Sequence, residues 1–199
     1  MGQKRQRKPI EEQESARWLE GYPLACELQR SCPETLVVHV SDREGDMHEW
    51  FLEAMRRVPG ERAACIIRAQ CDRRLAKGTA PRYVWEVMQQ ARAAGRIPVE
   101  LARQPERLPR PVTLSVAVKR VTFQGARWPG GRLPPVEVVA VSVKESRPPD
   151  GGEPMAWRLL TSRPVTEFPS AWTGVPWYRC RWAIDRFFRV LKQGCQIER

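Results

Sequence analysis

The chain of 199 residues contains no apolar run that approaches the ~20 residues needed to span a bilayer. No signal peptide is found ahead of its basic start, where Lys4, Arg5, Arg7 and Lys8 are clustered. The sequence has no internal repeat and no low-complexity tract. These absences predict a protein of the cytoplasm that has no membrane partner.

Patterns for zinc and for disulfides are also missing. The six cysteines show no C-x2-C spacing, and His39 and His48 lie in an apolar strand and on a helix. A zinc site and a disulfide framework are both poorly supported, so we interpret the cysteines as reduced thiols. Histidines placed in this way are more often structural than ligands.

What the sequence does have is positive charge. A net charge of +11 in a chain that is 42% hydrophobic is typical of a globular protein with a polyanionic partner. Neutralising phosphates releases counterions, which favours nucleic acid whatever its sequence. The alternative is a basic surface that serves only solubility.

Apolar runs predict a core of alternating strands and helices. Residues 35–40 suit a buried strand, and Asp42 follows its carboxyl end. Asp46 and Glu49 form a D-x-x-E helix start, and residues 63–68 predict a second strand. Upstream, Pro23 interrupts an amphipathic segment, so no continuous helix is expected there.

The middle of the chain has a different composition. Ten of the eighteen prolines fall between residues 98 and 154, around two valine-rich strand patterns at 112–123 and 136–144. Residues 157–162 then return to the sheet, and 176–194 predict a terminal helix. The predicted organisation is a basic arm (1–9), the first part of the core (10–97), a β-rich insertion (98–154) and a last core strand with its helix (155–199).

The terminal helix carries a polar stripe. Five side chains form the stripe: Tyr178, Arg181, Asp185, Arg189 and Lys192. Because successive residues of a helix are about 100° apart, these five fall within an arc of roughly 80° on one helix face. One carboxylate among cations fits a site that binds a metal ion and phosphate oxygens together. The alternative for Asp185 is a solvated acid paired with a neighbouring arginine, and the alternative for Asp42 is a turn residue.

Two motifs carry a family resemblance. The helix reads Y-x2-R-x3-D-x6-K through Tyr178, Arg181, Asp185 and Lys192, and Ser41-Asp42-Arg43-Glu44-Gly45-Asp46 reads D-R-E-x-D after its strand. In this order they resemble the catalytic domain of bacterial insertion-sequence DDE transposases, in the branch marked by Y-x2-R-x3-E-x6-K. The resemblance covers most of residues 10–199, and Asp185 stands where the family has Glu.

The resemblance implies a fold and a metal site. The fold would be α/β, a ribonuclease-H-like catalytic core with a β-rich insertion, and its first strands would be missing from this chain. Asp42 and Asp185 would be catalytic and would bind Mg²⁺ or Mn²⁺. Two such ions would stabilise charge during in-line displacement at a DNA phosphodiester.

The resemblance also implies double-stranded DNA, the transposon end, as the partner. Trp157 would stack on a base turned out of the duplex, although it could simply belong to the core. The phosphate at the transposon end would be held by Tyr178, Arg181 and Lys192. Arg68 and Arg189 are weaker candidates for contacts with the DNA backbone.

Two departures from the family pattern lower the expected activity. Nothing in the chain matches the first acid, and the carboxylate of Asp185 lies about one carbon back from that of Glu. A misplacement of ~1 Å can reduce a rate about a hundredfold. We therefore expect a bacterial transposase fragment that does not cleave DNA alone. The alternative is a non-catalytic protein that occupies transposon ends, or pairs with full-length transposase, and inhibits transposition.

Overall fold

The structure is a computed structural model, and it describes residues 16–58, 60–76, 78, 81–101, 110–128, 131–148, 154–165 and 168–196. These residues form a mixed α/β fold in which a six-stranded sheet lies between helices on its two faces. The α/β class predicted from the sequence is confirmed. The predicted basic arm lies outside the described residues.

The described residues form four α-helices and eight strands. The helices are α1 (Ala16–Ser31), α2 (His48–Arg56), α3 (Val84–Gln90) and α4 (Phe168–Arg189). The strands are β1 (Val38–Ser41), β2 (Ala64–Arg68), β3 (Gly95–Leu101), β4 (Arg110–Phe123), β5 (Arg127–Trp128), β6 (Gly131–Arg132), β7 (Val136–Glu145) and β8 (Ala156–Thr161). A 3-10 turn, Arg43–Gly45, separates β1 from α2, and a π-helical turn, Val190–Gly194, extends α4.

The main sheet has the order β1-β2-β8-β7-β4-β3. Strands β1 and β2 are parallel, with Val38 opposite Ala64, and every other pairing in this sheet is antiparallel. Strands β5 and β6 form a separate hairpin. Strand β1 is an edge strand of the described sheet, and the 3-10 turn follows its carboxyl end.

Strand β2 shows how the two faces are filled, because successive side chains of a strand point to opposite faces. Cys65 and Ile67 belong to the core cluster shared with α1, α2 and α3. Ile66 belongs to the second cluster, which includes Val175 and Tyr178 of α4. Helix α4 therefore covers the face opposite the other three helices.

The prediction that Pro23 interrupts the first helical segment is wrong, because α1 continues through Pro23. A proline inside a helix removes a hydrogen bond and costs about 3 kcal/mol. Its neighbours offset that cost: Tyr22 and Cys26 are fully buried, and the Tyr22 hydroxyl donates to the carbonyl oxygen of Ala63 at 2.7 Å. Tertiary packing holds the helix where local sequence argues against it.

Three predicted strands agree closely with the structure, whereas the strand predicted at 35–40 is observed at Val38–Ser41. The predicted strands at 63–68, 112–123 and 136–144 correspond to β2, β4 and β7, and β4 and β7 join the same sheet as β1. The terminal helix begins at Phe168 and not at Pro176, because the fully buried Val175 packs the preceding turn against the sheet.

Within the described part of the chain, no helix combines the length and the apolar character required to cross a membrane.

Candidate functional site

Asp42 follows the carboxyl end of β1 and caps the 3-10 turn. Its Oδ1 accepts a hydrogen bond from the backbone N–H of Glu44 at 3.0 Å. Gly45 closes this turn where only glycine fits, since a Cβ there would lie 2.1 Å from Ser41 Oγ and 2.4 Å from the Trp50 ring. The buried Ser41 and Trp50 thus fix the position of the Asp42 carboxylate.

Arg181 reaches this carboxylate from α4. Its Nη1 lies 3.4 Å from Asp42 Oδ2, across 139 positions of sequence. The side chains are 20% exposed for Arg181 and 31% exposed for Asp42. An ion pair this accessible contributes at most about 1 kcal/mol, so packing of α4 on the sheet sets the geometry. The structure thus brings together one predicted metal ligand and one predicted phosphate ligand.

Tyr178 and Trp157 lie in the second core cluster and not at the surface. Tyr178 is 1% exposed and Trp157 is 7% exposed. Their rings meet edge to face with centroids 6.0 Å apart. The Tyr178 hydroxyl has no hydrogen-bond partner among the described residues. In this arrangement both rings act as core, and contact with a base or a phosphate would require them to be uncovered.

The remaining predicted residues are spread along α4 and β2. Arg68 is half-buried at the end of β2, Arg189 is exposed in the last turn of α4, and Lys192 is exposed in the π-helical turn. Asp185 lies within α4, but its side chain is outside the described residues. The predicted roles of these four residues stay predictions.

Sequence reasoning missed the role of Asp46, which was expected to begin α2. Met47 occupies the cap position of that helix, and the carboxylate of Asp46 instead binds the loop after β2. Its Oδ2 accepts from the backbone N–H of Gln70 at 2.7 Å and of Cys71 at 3.2 Å, and its Oδ1 lies 2.6 Å from Arg73 Nη2. The partners lie 24 to 27 positions away, so no local pattern indicates them.

The surroundings of Asp46 mark it as structural. Its side chain is 0% exposed and that of Arg73 is 15% exposed. The Arg73 guanidinium also lies 5.4 Å from the centre of the Phe123 ring. The Cys71 thiol lies 3.6 Å from Asp46 Oδ2, and partial desolvation raises the pKa of that thiol although the residue as a whole is exposed. Asp42 and Asp46 belong to one short segment, and yet the carboxylate of Asp42 is accessible and that of Asp46 is buried.

A divalent cation would find part of a ligand set at Asp42. Carboxylate oxygens are the ligands that Mg²⁺ and Mn²⁺ prefer, and this carboxylate is accessible. One of its oxygens accepts from Glu44 and the other faces Arg181, so a cation would compete with the guanidinium. Among the described side chains, no group of three or more His, Cys, Asp or Glu could hold a metal.

No protein-family model matches this chain.

Proposed function

We propose that this chain is a fragment of a DDE-type transposase with a ribonuclease-H-like core, and that it binds transposon-end DNA through Arg181 beside Asp42. The observation that supports this most is the 3.4 Å approach of Arg181 to Asp42 across 139 positions. The two motifs are far apart in the sequence, and the family resemblance predicts that they contribute to one site. A shared site requires residues of both motifs to lie close together, and Arg181 and Asp42 do so.

The charges of the pair explain how a phosphate would bind. Arg181 offers a planar fork of N–H donors, which suits two phosphate oxygens at once. A phosphodiester would compete with the Asp42 carboxylate for that fork. A Mg²⁺ or Mn²⁺ ion on Asp42 would remove the competition and would stabilise charge on the oxygens of the reacting phosphodiester. Asp185 is the predicted second ligand.

The net charge of +11 supports the same partner. Basic residues of α4 would extend the contact along the DNA backbone, and Arg189 and Lys192 lie on its exposed surface. Contacts of this kind position a protein on the duplex and carry little sequence information. Recognition of a particular transposon end would need base contacts as well.

A second function, non-catalytic DNA binding that inhibits transposition, is favoured by one observation. The guanidinium of Arg181 faces the Asp42 oxygen that a cation would need. A chain held in this arrangement would occupy transposon ends without cleaving them. Pairing with a full-length transposase would be a second route to inhibition.

The first experiment measures binding to labelled duplex DNA by fluorescence anisotropy. Arg181→Gln should weaken binding about tenfold, because one charge-assisted contact is lost, and Arg181→Lys should recover part of it. Arg57→Gln is the matched control, since Arg57 has similar exposure and pairs with Glu53 on α2. Equal affinity for all four proteins would contradict the proposal.

A second assay separates the two functions. Supercoiled DNA carrying a transposon end is incubated with the chain and Mn²⁺. Nicking that Asp42→Asn abolishes would support the catalytic function, because that substitution removes the charge that holds the cation. Tight binding without nicking would support the inhibitor.

A further inference from the structure

An open recess lies beside the end of β4, outside the Asp42–Arg181 site. The charged side chains that line it are all arginines: Arg74, Arg82, Arg127 and Arg132. Gln124 adds a polar side chain to the lining. None of these residues belongs to α4 or to the segment of Asp42, so the recess is a separate surface.

The loop between β2 and α3 holds two of the arginines in place. The backbone N–H of Leu75 donates to the carbonyl oxygen of Arg82 at 2.8 Å, and the N–H of Gln124 donates to that of Arg74 at 2.8 Å. Leu75 is buried and forms a β-bridge with the fully buried Phe123. These contacts anchor the backbone of Arg74 and Arg82 to the core, so both arginines extend from fixed backbone positions.

The β5–β6 hairpin holds the other two. Arg127 lies directly opposite Arg132, and Arg132 Nη1 donates to the carbonyl oxygen of Gly125 at 2.7 Å. A Cβ on Gly125 would lie 1.6 Å from the carbonyl oxygen of Leu133, so the hairpin closes only around glycine. The close approach of the backbone fixes this arginine pair beside the loop.

This concentration of positive charge opposes folding. Like charges directly opposite each other in a β-ladder destabilise it by up to about 1 kcal/mol. Among the described residues, no carboxylate pairs with Arg74, Arg82 or Arg127. The acids nearest in sequence to Arg74 and Arg82 accept from backbone groups instead: Asp72 from the N–H of Trp85, and Glu86 from that of Tyr83. The acid nearest to Arg127, Glu137, pairs with Arg120. A bound polyanion would relieve the repulsion.

We propose that the arginine recess binds the phosphodiester backbone of duplex DNA. Arginine forks match phosphate oxygens, and four of them facing one open recess suit successive phosphates better than a single small anion. The proposal takes from the proposed function only the choice of DNA as the polyanion. It adds a second DNA contact that does not involve the transposase motifs.

The test compares the double variant Arg82→Gln/Arg127→Gln with the wild type in a salt titration of duplex DNA binding. Loss of two phosphate contacts should weaken binding about tenfold or more and reduce the slope of log affinity against log salt by about 2. The control variant Arg57→Gln/Arg96→Gln removes the same amount of charge elsewhere, and it should change the affinity and the salt slope much less. A thermal shift with inorganic phosphate alone is the second arm.

The outcomes separate this proposal from the preceding one. Weakening by the recess variant but not by Arg181→Gln would support the recess and contradict the Asp42–Arg181 site. The reverse result would contradict the recess alone, and no DNA binding by the wild type would contradict both. If inorganic phosphate raises the melting temperature of the protein as much as DNA does, the ligand of the recess is a free anion, and the proposal that it binds the DNA backbone is contradicted.

Discussion

Two aspartate–arginine pairs begin in the same six-residue segment and differ in the burial of the carboxylate, in the distance to the arginine and in the backbone donors around the acid. The Asp46–Arg73 pair is close, at 2.6 Å, and its carboxylate is fully buried. The Asp42–Arg181 pair is looser, at 3.4 Å, and its carboxylate is 31% exposed, whereas the two arginines are similarly buried, at 20% exposed for Arg181 and 15% for Arg73. Asp46 also accepts from two backbone N–H groups of the loop after β2.

The difference separates a structural pair from a candidate functional pair. A buried carboxylate must be satisfied by fixed donors, because losing one of them leaves a charge without water. An accessible carboxylate can exchange partners at little cost, which a binding site requires. Asp46 therefore stabilises the fold, whereas Asp42 is able to exchange its partner for a ligand.

The largest effect is expected at Asp46. Asp46→Ala should lower the free energy of unfolding by about 3–5 kcal/mol, because it leaves the Arg73 guanidinium buried without its carboxylate. Urea denaturation at neutral pH measures this change. A loss below about 1 kcal/mol would mean that Asp46 behaves like an accessible acid.

Gly45 lies between the two acids and should show the next largest effect. Gly45→Ala places a Cβ 2.1 Å from Ser41 Oγ, and both groups are buried. Overpacking of this kind destabilises a protein by about 1–3 kcal/mol. Thermal denaturation detects it, and Gly21→Ala, whose Cβ would make only an ordinary contact at 3.7 Å from His39 Cε1, tests glycine replacement without overpacking. An equal loss in both variants would contradict the tight turn.

His39, on the strand that leads to Asp42, should make stability depend on pH. Burial lowers its pKa from 6.5, so below that pH the unfolded chain binds the proton more readily than the folded chain. The unfolding free energy should therefore fall as the pH decreases from 6.5 through the folded pKa. His39→Gln should reduce the difference measured between about pH 7.5 and about pH 5. An unchanged difference would assign the pH dependence to other groups.

Asp42 should matter much less for stability than Asp46. Asp42→Asn keeps the shape of the side chain and an oxygen for the N–H of Glu44, and loses an accessible ion pair. The expected change in unfolding free energy is below about 1 kcal/mol. Differential scanning calorimetry of the two variants side by side tests this. A loss as large as that of Asp46→Ala would remove the distinction between the pairs.

The smallest effect is expected at Tyr178, where core and DNA-binding roles predict different outcomes. Tyr178→Phe removes a buried hydroxyl that has no partner among the described residues, so stability should stay equal or rise slightly. If the hydroxyl contacts phosphate in the complex, DNA affinity should fall while stability does not. Unchanged affinity in anisotropy would assign Tyr178 to the core.

Much of the fold could be predicted because its strands are apolar runs. Strands β2, β4 and β7 follow such runs closely. Strand β3 was not predicted, because Pro98 interrupts its short apolar pattern, which an edge strand permits. Helix α1 continues through Pro23 only because Tyr22 is buried against Ala63, which local sequence does not reveal.

The candidate site was predictable in one respect and not in another. The spacing of two motifs, read through a family resemblance, placed Asp42 and Arg181 at one site, and the structure brings them together. The burial of Trp157 and the loop partners of Asp46 depend on contacts between distant elements. Patterns along a chain carry information on periodicity and spacing, and they do not report which side chain a helix will cover.

The most direct test follows the Nε–Hε resonances of the arginine side chains by NMR while duplex DNA is added. The account predicts that the Arg181 resonance shifts and saturates with DNA, because its guanidinium exchanges Asp42 for phosphate. The Arg73 resonance should stay in place, because its guanidinium remains bound to Asp46. An unchanged Arg181 resonance in the presence of bound DNA would contradict the account.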